Sequence, residues 1–196
     1  NQTLFSITTS ILDKIQPVLE QENPDIVLVH GDTSTTFATA LAAFYMGIKV
    51  GHVEAGLRTY NLQSPFPEEF NRQTTSIIAD YHFAPTEVAK DNLLKEGREN
   101  IFVTGNTVID ALKTTVQDDY NHPILEWAKD SKLIMLTAHR RENLGEPMEN
   151  MFNAVNRILN EFEDVKVVYP IHKNPKVREL ASKVFGDNER MKIIEP

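Results

Sequence analysis

Between residues 47 and 72 the chain reads GIKVGHVEAGLRTYNLQSPFPEEFNR, so an apolar run ends on an acid, Glu54, and a proline-rich segment then delivers Glu68, Glu69 and Arg72. Upstream, VLVHGD places Asp32 directly after another apolar run. Carboxylates at such places can carry protons when burial or like-charged neighbours raise their pKa. Each has a plainer alternative. Asp32 could cap a helix starting near Thr33, and Glu54 could belong to a structural salt bridge. Glu68 and Glu69, with Pro67 at the helix entry, could complement the dipole of a first turn, and one of the two is expected to do only that.

A basic set answers the acids. TAHRREN brings His139, Arg140 and Arg141 to the end of one apolar run, and VYPIHKNP brings His172 and Lys173 to the end of another. An imidazole and guanidinium groups beside a helix start make an anion site whose natural occupant is a phosphate or diphosphate. No GxGxxG follows the first visible strand and no GxxxxGK[ST] occurs anywhere, which disfavours NAD and ATP. The six His residues contain no HExxH-like pair and the chain has no Cys, so no protein-built metal site and no cofactor are expected.

The elements that must position these residues alternate between apolar β-type runs and amphipathic helices. An N-terminal helix is followed by the strand DIVLVH, a helix over TSTTFATALAAFYMG, the strand IKVGHVEAG, a helix over EEFNRQTTSIIAD, the strand YHFAP, a helix over EVAKDNLLKEG, the strand NIFVTGN and a helix over TVIDALKTTVQD. The polar stretch DDYNHPILEWAKD, broken by Pro123, marks a domain seam. Beyond it come KLIMLTAHR, a helix over EPMENMFNAVNRILNEF, VKVVYPIH, a helix over NPKVRELASKVFG and the strand MKIIEP. This rhythm predicts an α/β fold of Rossmann-like parallel sheets in two units, residues 1–120 and 121–196, with DIVLV and LIML buried on both faces. In such sheets ligands sit beyond the carboxyl ends of the strands, where Asp32, Glu54, His139 and His172 all fall.

Composition bounds the partner. The 196 residues carry 41% hydrophobic and 24% charged side chains, enough for a real core, and a formal charge of -8 argues against a general nucleic-acid or anionic-membrane surface. There is no apolar run of about 18 residues and no signal-peptide pattern, and the absence of Cys fits a reducing compartment, so the cytoplasm is the default expectation.

The successive segments VLVHGDTSTT, VGHVEAGLRT, SPFPEEFNR, FVTGNTVIDAL, TAHRREN and VYPIHKNP resemble motifs of the non-hydrolysing UDP-N-acetylglucosamine 2-epimerases, in the family's order. The resemblance implies a two-domain GT-B-type fold, with a nucleotide sugar held between Rossmann-like halves. It implies interconversion of UDP-GlcNAc and UDP-ManNAc by elimination of UDP to 2-acetamidoglucal and re-addition. By similarity Asp32, Glu54 and Glu68 match the family's catalytic acids and His139 its histidine near the diphosphate. Arg72 matches a substrate-cleft arginine. Arg140 and His172 match residues that in some bacterial members contact a second UDP-GlcNAc, an allosteric activator. Relatives are dimers, so a homodimer is implied for the full-length protein, and UDP-ManNAc supplies surface polysaccharides in bacteria with this family.

The chain also departs from the family pattern. A Gly-Thr-Arg-Pro-Glu segment near the phosphates and a later Ser-Gly-Gly stretch with an acid for the uridine and ribose are not in it. The chain is therefore expected to be the middle of such an enzyme, with unpaired sheet edges and weak UDP-sugar binding by itself. A GT-B glycosyltransferase, a hydrolysing relative and a non-catalytic UDP-sugar-binding module are the alternatives.

Overall fold

The computed structural model describes residues 2–140 and 143–196. Two compact units divide at 116/117, each an α/β unit with one parallel sheet.

In the first unit α1 (Leu4–Glu22) precedes the alternation β1 (Ile26–His30), α2 (Ser34–Tyr45), β2 (Lys49–Val53), α3 (Glu68–Ile78), β3 (Tyr81–Ala84), α4 (Glu87–Lys95), β4 (Ile101–Val103) and α5 (Thr107–Thr115). The strands lie in the order β1-β2-β3-β4, all parallel, with His30 beside Val53 and Val53 beside Phe83. That register sets the carboxyl ends of β1 and β2 level, so the residues leaving them share one edge. Side-chain oxygens cap the helix starts: Thr3 for α1, Thr33 for α2, Thr86 for α4 and Asn106 for α5 each accept a backbone N–H of the first turn. The core under β1 and β2 joins Leu19 of α1 to Ala40 and Ala43 of α2 and to Val29 and Val50. Small residues on α2 let it lie close to the sheet. A second cluster, Ala55, Ala84, Ala89 and Leu93, packs α4 against the ends of β2 and β3.

The second unit contains α6 (Pro123–Ala128), β5 (Lys132–Met135), α7 (Glu146–Glu161), β6 (Val165–Pro170), α8 (Pro175–Phe185) and β7 (Met191–Ile194), with the parallel order β5-β6-β7. Its core is aromatic at the centre. Phe152 of α7 meets Tyr169 of β6 edge-on at 5.6 Å and Phe185 of α8 at 5.1 Å, with Met148, Leu159, Val167 and Val177 fully buried around them.

Two expectations are corrected. DIVLV and LIML are not buried on both faces: β1 and β5 are edge strands in these sheets, and Leu28 and Met135 are exposed. A continuous apolar run reports what a strand could bury, but among the described residues each of these strands has a neighbour on one flank only, so its face-directed side chains are flanked by other side chains on one side and stay open on the other. The stretch around Pro123 is also not simply broken. Pro123 begins α6, where its fixed φ and missing N–H cost nothing, and the His122 side chain accepts from Ile124 N.

Candidate active site

β1 ends at His30, and the turn Gly31–Asp32 follows before Thr33 caps α2. Asp32 is thus not the cap. Its carboxylate instead lies 2.8 Å from Arg72 Nη2, in an ion pair with side chains only 29% and 12% exposed. Burial raises the Asp32 carboxyl above the ordinary range, Arg72 opposes that, and the charges of Glu68 and Glu69 push it up further. This is the combination that readies a carboxyl for proton transfer closer to neutral pH.

Glu54 leaves β2 on the neighbouring strand. Its backbone adopts φ 65°, a left-handed conformation rare for a residue with a side chain and worth about 1–3 kcal/mol of strain when imposed by the surroundings. The next residues hold it there: Ala55 is fully buried, and Gly56, at φ 89°, lies so close to α4 that a Cβ would stand 2.2 Å from the Ala89 carbonyl oxygen. Asn92 donates to the Gly56 carbonyl at 3.0 Å. The Glu54 carboxylate extends over Gly31, where a Cβ would be 3.9 Å from Oε2, and meets His30 Nε2 at 3.3 Å. Glu54 therefore has a polar side-chain partner, the exposed His30 at the same strand edge.

Glu68 and Glu69 both fall in the first turn of α3, and helix phase separates them. Glu68 faces the Asp32 side with its charge, whereas Glu69 is fully buried. Glu69 Oε1 accepts from Tyr60 N at 3.0 Å and Gln73 Nε2 at 2.7 Å, and Oε2 lies 3.5 Å from Arg72 Nε. Burial would push its carboxyl up, but hydrogen bonds from Gln73 and the Thr59–Tyr60 backbone, with the Arg72 charge, outweigh it and hold the carboxyl below its usual value. Arg72 is thus steered by Glu69 on one side and engages Asp32 on the other.

In the second unit His139 follows β5 and His172 follows β6, and their rings stack at 6.2 Å between centroids. They share a cavity of about 390 Å³ with Thr137, Ala138, Pro170, Lys173 and Pro196. Buried Tyr169 donates at 2.8 Å to the carbonyl of Ala138, one of the lining residues. Arg140 follows His139, and its carbonyl accepts from Asn143 N. Arg141 lies outside the described residues. Among the described residues no group of three His, Asp or Glu side chains could hold a metal ion.

The model of the family described as UDP-N-acetylglucosamine 2-epimerase matches residues 1–196. The chain belongs to that family. A UDP-N-acetylglucosamine 2-epimerase of Bacillus subtilis is 65% identical over 197 residues, which cover all of this chain and 52% of that protein. The crystal structure of a Listeria monocytogenes protein described as a UDP-N-acetylglucosamine 2-epimerase superposes with a TM-score of 0.97 at 61% identity, covering 100% of this chain and 52% of that one. The Neisseria meningitidis UDP-GlcNAc 2-epimerase, solved with UDP-GlcNAc bound, gives 0.87 at 44% identity over 100% of this chain and 56% of its own. The chain spans about half the length of the curated relatives it matches. Its parallel α/β sheets are those of the GT-B-like epimerases.

Sequence reasoning missed Asn71 and His52, both buried and both bound to the Gly31–Asp32 turn. The only visible signal was a polar residue inside an otherwise apolar strand, GHV, and an amide beside the arginine of EEFNR.

Proposed function

We propose that this chain carries acid–base and anion-binding groups of a UDP-GlcNAc 2-epimerase, an isomerase interconverting UDP-GlcNAc and UDP-ManNAc. The observation that carries the proposal is the Asp32–Arg72 pair beside Glu54 at one sheet edge, in a chain of this family.

C2 of the sugar is not next to a carbonyl, so its proton cannot leave through an enolate. Elimination solves this: a base takes the C2 proton, the C2–H electrons form the C1=C2 bond of 2-acetamidoglucal, and the C1–O bond breaks with its pair going to the diphosphate of UDP. Return of a proton to the opposite face of C2 and attack of the diphosphate oxygen on C1 give the epimer. Proton carriers are needed on both faces. Asp32, Glu54 and Glu68 are the carboxyl groups we assign to them, with Arg72 as the cleft cation that holds Asp32 and meets the sugar nucleotide. His139 supports the leaving diphosphate, where positive charge or an N–H donor stabilises the developing anion. Arg140 and His172 bind a second UDP-GlcNAc that activates the enzyme. We further propose a cytoplasmic homodimer serving cell-envelope polysaccharide synthesis; no helix among the described residues is long and apolar enough to cross a membrane.

The test is product analysis of the full-length protein with UDP-GlcNAc. UDP-ManNAc in reversible equilibrium with UDP-GlcNAc is expected. Free ManNAc with UDP would assign a hydrolysing enzyme, and sugar transfer to an added acceptor without C2 inversion would overturn the reading in favour of a glycosyltransferase.

A further inference from the structure

Three consecutive backbone carbonyls at the end of β1 are each taken by a different inward side chain. The His30 carbonyl accepts from Thr36 Oγ1 of α2 at 2.6 Å, the Gly31 carbonyl from His52 Nε2 of β2 at 2.8 Å, and the Asp32 carbonyl from Asn71 Nδ2 of α3 at 2.9 Å. The three donors are 4%, 0% and 3% exposed. A carbonyl can only accept, so His52 carries its proton on Nε2 and leaves Nδ1 without a partner. Burying a polar atom unpaired is costly, and the structure does so to place a donor under Gly31.

The arrangement is more than a turn satisfying its own hydrogen bonds. Turns of this kind are ordinarily closed by neighbouring backbone or by water, whereas here the three donors come from three separate elements. Asn71 is also the residue immediately before Arg72. One turn of α3 therefore grips Asp32 twice, at its backbone oxygen through Asn71 and at its carboxylate through Arg72. Rotation of α3 would release both contacts together.

We infer that Asn71 is a positioning residue for Asp32, acting with His52 and Thr36 to lock the His30–Asp32 turn so that the carboxylate is presented at a fixed place against Arg72. The inference rests on the reading of Asp32 as an acid–base group of the epimerisation. Asn71 acts through Asp32 and contacts no substrate atom in this assignment.

The experiment is a double-substitution cycle in the full-length enzyme, with kcat and KM for UDP-GlcNAc measured for the parent, N71A, D32N and the pair. A loosened catalytic group costs rate more than binding, so N71A is expected to lower kcat roughly ten- to hundredfold with KM changed less than about threefold. In the D32N background it should lower kcat by less than about twofold. An equal loss in both backgrounds, or no loss on N71A while D32N is impaired, overturns the inference and leaves the role of Asp32 standing. A D32N enzyme with parental kcat overturns both. If N71A melts below the assay temperature, N71L, close in size and carrying neither a donor nor a charge, takes its place with the same outcomes.

Discussion

Asn71 and Arg72, consecutive in α3, hold the same residue: the amide of Asn71 donates to the Asp32 carbonyl at 2.9 Å and the guanidinium of Arg72 reaches the Asp32 carboxylate at 2.8 Å. Backbone and side chain of one acid are thereby tied to one helix, so the place of the Asp32 carboxylate depends on where α3 sits.

Arg72→Lys should uncouple that edge. The planar guanidinium reaches Asp32 through Nη2 at 2.8 Å while its Nε stays 3.5 Å from the Glu69 carboxylate, a placement that a point-like ammonium cannot reproduce. The Arg72 charge lowers the Asp32 pKa against burial, and a lysine ammonium, which keeps the charge but stands farther from the carboxylate, lowers it less. In the full-length protein kcat should fall at least about tenfold, and, with Asp32 in the proposed role of a proton acceptor, the acid limb of the pH–rate profile should move to higher pH. A limb that stays in place would remove Asp32 from that titration.

Glu69→Gln should weaken the fold more than its isosteric size suggests. Glu69 Oε1 accepts two hydrogen bonds and the carboxylate neighbours Arg72, so an amide there turns a donor toward donors, at a cost of about 1–3 kcal/mol. The folded pKa is depressed below the ordinary 4.5, so the carboxylate's contribution is present above that value and lost as pH falls through the folded one. Thermal melts should show the gap between parent and variant at pH 7 and its narrowing below about pH 4.5. A gap independent of pH would contradict the assignment.

His52 should make the first unit acid-sensitive. Its pKa is pushed from 6.5 down to about 4, chiefly by burial, so the unfolded chain takes up a proton at a pH where the folded one does not. Stability is therefore full above pH 6.5 and declines as pH falls toward 4, by about 3 kcal/mol in total from this group. His52→Gln, which keeps an N–H donor for Gly31, should flatten that part of the denaturant-midpoint profile; an unchanged slope would assign the decline elsewhere.

Gly56→Ala tests the seat of Glu54. With φ at 89° and a Cβ 2.2 Å from the Ala89 oxygen, the methyl group cannot fit without moving α4 away from β2. A loss of more than about 2 kcal/mol is expected from strain and overpacking together, with activity reduced because Glu54 shifts. Parental stability would contradict a close approach of Gly56 to α4.

The strand-end rule made much of this edge legible, because a charged residue leaving an apolar strand is visible without coordinates: Asp32 and Glu54 stand where VLVHGD and VGHVE end. The difference between Glu68 and Glu69 was not legible. They are adjacent, both suit a first turn, and only the phase of α3 against the sheet buries one. Asn71, His52 and Thr36 escaped for another reason: their partners are backbone carbonyls 39, 21 and 6 residues away, and a carbonyl has no signature in the sequence. The edge positions of β1 and β5 were hidden too, since an apolar run looks the same at an edge as in the middle of a sheet.

Proton NMR of UDP-GlcNAc with the full-length enzyme in D2O tests the central claim most directly. Elimination and re-addition through solvent-exchanging carboxyls predicts deuterium at C2 of newly formed UDP-ManNAc, with the C2 proton signal of recovered UDP-GlcNAc fading as the reverse reaction proceeds. Persistence of the C2 proton with no UDP-ManNAc signal would contradict it, and Asp32, Glu54 and Glu68 would then be binding or structural groups.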